Sequence, residues 1–161
     1  MENQQQTRVS QARVALYART NQASNEPNAN SIEHQLDTMK AQCEREGKEI
    51  AAIFIDEGVS GNDLEQAHSM KKLLKEAAEG KFDEVLVHDL SRLGRKTVDV
   101  LGIVSELERI HVKVRLLAEN FDTSAPMGKF VLQIMAAVLE SGLPAEEITE
   151  AMNEGWKMRH A

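Results

Sequence analysis

The sequence predicts an α/β domain in which helices cover both faces of a sheet of parallel strands. Short apolar runs of strand type alternate along the chain with amphipathic helical segments of about 10–15 residues. This alternation implies parallel pairing of the strands through right-handed crossovers. A length of 161 residues corresponds to one ordinary domain, and 42% hydrophobic with 28% charged residues excludes wholesale disorder, collagen and coiled-coil arrays.

The first predicted elements are a tail, a strand and a capped helix. Residues 1–11 are polar and aperiodic, so we expect a flexible tail, and the apolar run 14–18 predicts a buried strand. Asn30 or Ser31 is placed to cap the start of a helix, and Gly47 is placed to end it. The apolar stripe of this helix consists of Ile32, Leu36, Met39 and Cys43.

The alternation continues through the next seventy residues. Further strands are predicted at 50–55, 85–87 and 112–118, with helical stripes between them at 70–77 and 100–110. Ligands in such folds gather beyond the carboxyl ends of the strands. We therefore expect the polar residues at those ends to converge, namely Arg19, Asp56, Ser91, Arg92, Glu119 and Asn120.

The helix predicted at 127–140 is apolar almost all the way round. Between Phe130 and Leu139 only Gln133 is polar, so one face can pack on the sheet while the rest needs another partner. Two interpretations remain open, a central core helix and a helix shared with a second protomer.

After this helix, the sequence contains residues that disfavour a helix. Gly142 and Pro144 would each disfavour a continuous helix, by about 1 and 3 kcal/mol. We therefore expect the apolar helix to stop near Ser141 and residues 142–161 to form a separate C-terminal helix. The domain proper is predicted to span residues 12–141.

Composition limits the classes of function. Nineteen Lys and Arg against 26 Asp and Glu give a net charge of −7, which argues against a globally basic nucleic-acid coat. The single Cys43 excludes an internal disulfide, and no apolar run approaches the roughly 20 residues of a membrane span or resembles a signal peptide. We therefore expect a cytoplasmic protein with no membrane partner. No metal is predicted, because the histidines show no ligand spacing with the cysteine or one another.

A basic segment, 91–95 (SRLGR), follows the third predicted strand and precedes a helix, with Lys96 in the first turn of that helix. Together with Arg19, its Arg92 and Arg95 would form a guanidinium cluster suited to a phosphate group. The alternative is a solvated charged loop.

Five motifs follow one another along the chain: 17–19 (YAR), 31–35 (SIEHQ), 54–61 (FIDEGVSG), 91–95 (SRLGR) and 122–129 (DTSAPMGK). In this order and spacing they resemble the serine recombinase family of resolvases, invertases and large serine integrases, over residues 13–159. The resemblance implies a three-layer resolvase-like domain with a mostly parallel four-stranded sheet that dimerises through a long helix. It also implies attack on DNA phosphates by a serine hydroxyl through a 5′-phosphoserine link, with no metal and no cofactor.

The resemblance assigns roles to individual positions. Those that match family active-site positions are Arg19, Gln35, Asp56, Arg92 and Arg95. The implied contacts to DNA phosphates are Arg19, Arg92, Arg95 and Lys96. The implied dimer interface on the apolar helix consists of Met127, Phe130, Val131, Ile134, Met135 and Val138.

The nucleophile position departs from the family pattern. The family reads Tyr-x-Arg-Val-Ser where residues 17–21 read YARTN, so Asn21 occupies the serine position. A carboxamide has no hydroxyl to deprotonate and cannot form the phosphoester. Thr20 and Ser24 are nearby hydroxyls, but Thr20 would point to the wrong side if the strand continues, and Ser24 is three residues further along.

Other departures from the family pattern weaken the expected binding to DNA. An arginine expected at Gln66 or Ala67 is missing, and Ser91 stands where relatives often carry an aspartate. From Glu140 onward the chain has five Glu against one Lys and one Arg, which is a poor charge balance for a segment that would enter a DNA groove.

The residues leave three hypotheses. The first is a catalytically inactive recombinase domain, a pseudoenzyme that modulates DNA processing by dimerising or by pairing with a recombinase, with weak or partner-dependent DNA contact. The second is an active, divergent site-specific recombinase that cleaves and rejoins DNA with another nucleophile. The third is an unrelated flavodoxin-like or receiver-like domain, in which Asp56 and Asp89 would be strand-end acids for a metal or phosphoryl group.

Overall fold

The computed structural model describes residues 11–21, 31–125 and 128–142, together with Glu150 and Glu154. Some predictions concern residues outside this part of the chain, namely most of the tail 1–11, Ser24, Asn30, Met127 and most of the C-terminal helix 142–161.

One sheet of five strands forms the centre of the described residues, in the order β2-β1-β3-β4-β5. Strands β1 to β4 pair in parallel, whereas β5 is antiparallel to β4. The strands are β1 Arg13–Thr20, β2 Glu49–Glu57, β3 Glu84–Val87, β4 Lys113–Leu116 and β5 Phe121–Asp122.

The mostly parallel sheet is confirmed, but the prediction of four strands is wrong. The fifth strand, β5, is only two residues long and returns beside β4 through a tight turn in which Asn120 has φ 48. Two residues cannot display the alternation that identifies a strand in a sequence.

Four helices alternate with the strands in the described residues: α1 Ile32–Glu46, α2 His68–Ala78, α3 Thr97–Arg109 and α4 Gly128–Glu140. The predicted ends of α1 are confirmed. The Ser31 hydroxyl accepts a hydrogen bond from the His34 amide, and Gly47 ends the helix with φ 65. Short 3₁₀ turns at Leu64–Gln66 and Leu90–Arg92 follow β2 and β3.

The helices form a layer on each face of the sheet. Helix α1 covers one face and closes a small core made of Val14, Leu16, Ala18, Met39, Cys43 and Leu86. Helices α2, α3 and α4 cover the other face, around a larger core that includes Tyr17, Phe54, Leu73, Val87, Val104 and Leu132. Burial raises the pKa of the Cys43 thiol, as expected for a packed rather than a reactive cysteine.

Helix α4 has 13 residues, no more than α3 and fewer than the 15 of α1, so its described part does not confirm a long helix. Leu132 is buried against the domain, whereas Phe130 is 54% exposed and Ile134 50% exposed. The helix ends at Glu140, and Gly142 follows with φ 93, as the glycine and proline of this region predicted. None of the described helices is long and apolar enough to cross a membrane.

Candidate functional site

The carboxyl ends of β1, β2 and β3 bring the predicted strand-end residues together. Arg19 is the next-to-last residue of β1 and is in register with Asp56 on β2, and the 3₁₀ turn with Arg92 follows β3. The predicted convergence is confirmed at these three residues. The burial of each side chain limits which groups it can contact.

Arg19 lies at the centre of this cluster and is only 1% exposed. Its Nε donates to the Arg92 carbonyl at 3.1 Å, and Nη1 donates to the Val59 carbonyl at 2.8 Å and to Asn21 Oδ1 at 2.6 Å. Its Nη2 donates to the Ser91 carbonyl. Burial lowers the pKa of this guanidinium, and its four hydrogen bonds connect three loops.

Gln35 fixes the backbone of the same residue from α1. Its Oε1 accepts from the Arg19 amide at 3.2 Å, and its Nε2 donates to the Arg19 carbonyl at 3.0 Å. The side chain is fully buried, so Gln35 joins α1 to the end of β1.

Arg92 is 9% exposed and is held from two sides. Its Nε donates to Asp89 Oδ2 at 3.2 Å, and its Nη1 donates to the Arg19 carbonyl at 3.0 Å. Burial alone would raise the pKa of Asp89, but the hydrogen bond from His88 and the charge of Arg92 lower that pKa to about 2. Asp89 is therefore the ionised partner of Arg92.

Sequence reasoning missed this role of Asp89. Its Oδ1 also accepts a hydrogen bond from the Ser91 amide at 3.0 Å. Aspartate side chains readily form such local hydrogen bonds to the backbone two residues later. The turn that carries Arg92 thus has its acid at position 89, while position 91 is a serine. The signal was present in the order Asp-x-Ser-Arg, which places a carboxylate within reach of both later residues.

Glu119, at the carboxyl end of β4, supports the same 3₁₀ turn. Its Oε1 accepts from the Leu90 amide at 3.0 Å, while its Oε2 is buried with no hydrogen-bond partner in the described part of the chain. Burial raises the pKa of this carboxyl to about 7, and the Asp89 carboxylate acts in the same direction. The glutamate therefore changes ionisation near neutral pH.

Asp56 is 5% exposed, and its carboxylate accepts three hydrogen bonds. The donors are the Tyr17 hydroxyl at 2.8 Å, the Ser69 amide at 2.9 Å and the Met70 amide at 3.0 Å. Burial, and then the hydrogen bond to Asp56, raise the pKa of Tyr17. Asp56 thus caps the first turn of α2, because the N-cap residue Ala67 offers no side-chain acceptor.

Two cations of the candidate site remain at the surface. Arg95 and Lys96 are exposed, in contrast to the buried Arg19, so the predicted phosphate contacts divide into a buried and an exposed pair. Gly61 separates the pairs. A Cβ on Gly61 would lie 2.8 Å from Arg19 Nη2 and 2.9 Å from Arg95 Cγ, which explains why a glycine stands there.

Asn21 is exposed at the end of β1 and accepts from Arg19. Strand β1 continues through Thr20, which is 8% exposed and alternates with Arg19, so the two side chains leave opposite faces of the sheet. At the position of the missing arginine, Gln66 is exposed and Ala67 is fully buried.

On α4, the predicted interface residues differ in exposure. Phe130 and Ile134 are exposed, Val131 and Val138 are half-buried, and Met135 is 2% exposed within its own domain. Among the described residues, no group of three or more His, Cys, Asp and Glu is placed to hold a metal ion.

Known proteins resemble this chain over most of its length. A family model described as "Resolvase, N terminal domain" matches residues 14–161. The chain is 34% identical over 125 residues to a resolvase/recombinase of Pseudomonas putida, covering 78% of this chain and 64% of that protein. It is 32% identical over 103 residues to a DNA-invertase of Enterobacteria phage P7, covering 64% of this chain and 53% of that protein. The chain thus spans less than two thirds of the length of these relatives.

Solved structures show the same fold. The N-terminal catalytic domain of TP901-1 integrase matches with a TM-score of 0.70 and 28% identity, over 92% of this chain and 99% of that one. A resolvase family site-specific recombinase from Streptococcus pneumoniae matches with a TM-score of 0.64 and 26% identity, over 93% of this chain and 99% of that one. The unrelated flavodoxin-like or receiver-like alternative is therefore wrong. The chain belongs to the resolvase N-terminal domain family, the serine recombinase domains related to DNA recombination.

Proposed function

We propose that this domain does not cleave DNA and acts in recombination by association, as a dimer or with a recombinase partner. The observation that carries the proposal is Asn21. It stands where the resemblance places the nucleophilic serine, and its carbonyl oxygen accepts a hydrogen bond of 2.6 Å from Arg19. A carboxamide in this position can orient an arginine but cannot form a phosphoester.

Thr20, the neighbouring candidate hydroxyl within the described residues, is poorly placed to replace the serine. Thr20 lies in the strand, is 8% exposed and leaves the face opposite to Arg19. The arginine expected near Gln66 is also missing. When several groups act together in catalysis, removal of one of them abolishes most of the reaction rate. The loss of both the serine and the arginine therefore supports an inactive site.

The contacts of the retained arginines also support a structural role. The Arg19 guanidinium donates to backbone carbonyls and to Asn21, and Arg92 is paired with Asp89. Exposed Arg95 and Lys96 remain for a DNA phosphate. Few phosphate contacts on a chain of net charge −7 give weak binding, so we propose that DNA contact is weak or depends on a partner.

Association is proposed to use α4. Phe130 and Ile134 present exposed apolar surface on this helix, with half-buried Val131 and Val138 beside them. The relatives named above are a resolvase/recombinase and a DNA-invertase, which supports a place in recombination.

The absence of cleavage is tested with nicked suicide duplexes of randomised sequence, which trap a covalent protein–DNA adduct. We expect no adduct on a denaturing gel. The alternative, an active divergent recombinase, predicts an adduct that disappears on Asn21→Ala or Thr20→Ala, and that result would overturn our proposal. The solution mass of the chain, measured with and without duplex DNA, tests association. A strict monomer that does not bind DNA at low salt would contradict it.

A further inference from the structure

Helix α3 is capped at its N-terminus by a residue from another helix. Its N-cap position is Lys96, whose side chain makes no capping hydrogen bond. Instead the Thr97 amide donates to Glu140 Oε2 at 2.9 Å, across 43 residues of sequence. Glu140 is the last residue of α4, so this hydrogen bond joins the end of α4 to the start of α3.

The capping carboxylate lies near Lys96, one of the two exposed cations of the candidate site. Hydrogen bonding by Thr97, and then the charge of Lys96, lower the pKa of Glu140, so it is ionised at neutral pH. Arg95 is the next residue before Lys96 and is also exposed. The negative charge of Glu140 therefore opposes the positive charge that a DNA phosphate would meet here.

The backbone holds Glu140 at this point. Gly142 has φ 93, and its amide donates to the Leu139 carbonyl at 3.1 Å, so the helix ends immediately after Glu140. On the same helix, Leu132 and Met135 are buried in the core next to α3. The carboxylate can thus leave the Thr97 amide by rotation of its own side chain, while the helices stay packed.

We propose that the Glu140–Thr97 contact is an autoinhibitory latch, in which the Glu140 carboxylate must leave α3 before a DNA phosphate can engage Arg95 and Lys96. The inference rests on the proposed DNA contact of these two cations. It explains why a chain that keeps both of them at its surface would still bind DNA weakly.

The latch is tested with Glu140→Gln, which keeps the size of the side chain and removes its charge. We expect its affinity for a mixed-sequence duplex at low salt to rise about fivefold over the unmodified chain, the size of a charge effect at a helix end. Asp99→Asn is the matched control, because Asp99 is the acidic residue in the first turn of α3 and makes no contact with the Thr97 amide. We expect this control to gain less than twofold, by fluorescence anisotropy.

A second measurement follows the contact itself. The ¹⁵N resonance of the Thr97 amide should shift when duplex DNA is added to the unmodified chain, and should already be shifted in Glu140→Gln without DNA. The latch would be overturned if both variants gained DNA affinity equally or if Glu140→Gln gained none. It would also be overturned if the Thr97 amide resonance did not shift on addition of DNA. Monomeric behaviour of the unmodified chain would contradict the proposed association, yet it would not change the comparison between the two variants.

Discussion

Among single residues, Glu119 links the ionisation of the candidate site to the stability of the domain. Burial raises the pKa of its carboxyl to about 7, above the value of about 4.3 for an exposed glutamate. As pH rises between these values, the unfolded chain releases a proton that the folded chain keeps, so the free energy of unfolding falls. We expect Glu119→Gln to abolish this fall and to raise the free energy of unfolding by about 3–4 kcal/mol at pH 8.

Urea denaturation at pH 5 and pH 8 measures this effect. The amide oxygen of the glutamine can still accept from Leu90, so the loss of charge is the main change. Glu44→Gln, at an exposed position of α1, is the control and should shift the free energy of unfolding by no more than about 0.5 kcal/mol. Parallel pH profiles for Glu119→Gln and the unmodified chain would refute the assignment.

The sequence predicts which residues meet at this edge but not how they pair. Arg19, Asp56 and Arg92 follow apolar strands, and parallel strands end at one edge, so their meeting follows from the pattern. The burial of Arg19 does not, because it depends on where the carbonyls of Val59 and Ser91 point. Those directions are set by loop conformations, which carry no periodic signal.

Among the elements, α2 depends on a carboxylate from a neighbouring strand. Asp56 accepts from the Ser69 and Met70 amides and from the Tyr17 hydroxyl. Asn at this position would turn an NH₂ group toward at least one of these donors. We expect Asp56→Asn to lower the free energy of unfolding by about 1–3 kcal/mol, the cost of unsatisfied buried donors.

Asp63→Asn is the matched control for this capping role. Asp63 is exposed and its side chain makes no capping hydrogen bond, so we expect a change within about 0.5 kcal/mol. Both variants are compared by thermal and urea denaturation, and equal effects would mean that Asp56 does not stabilise α2.

The same contrast between periodic and irregular features explains which elements the sequence predicts. Strands β1 to β4 and the four described helices have apolar runs or stripes, and each lies where the pattern places it. The two residues of β5 have neither, and their pairing depends on the turn after β4. The expected length of α4 came from resemblance alone, and its described part ends at Glu140.

Across the part of the molecule that the structure describes, buried charged groups have internal partners at both edges of the sheet. At the amino edge Glu84 is 2% exposed and is paired with Lys48 at 2.9 Å and with Arg115 at 3.2 Å. At the carboxyl edge Arg19 and Arg92 are satisfied by carbonyls and by an aspartate. These guanidinium groups therefore stabilise the fold, and we propose that association uses exposed apolar surface instead.

Exposed apolar residues make this association testable with two identical substitutions. Ile134 on α4 is 50% exposed and Ile53 on edge strand β2 is 41% exposed. If copies of the chain pair through α4, Ile134→Lys places two ammonium groups in the interface, where desolvation costs several kcal/mol. We expect a dimer dissociation constant at least about 30-fold weaker, measured by sedimentation equilibrium, whereas Ile53→Lys should leave it within about twofold. Dissociation caused by Ile53→Lys alone would move the interface from α4 to the free edge of the sheet.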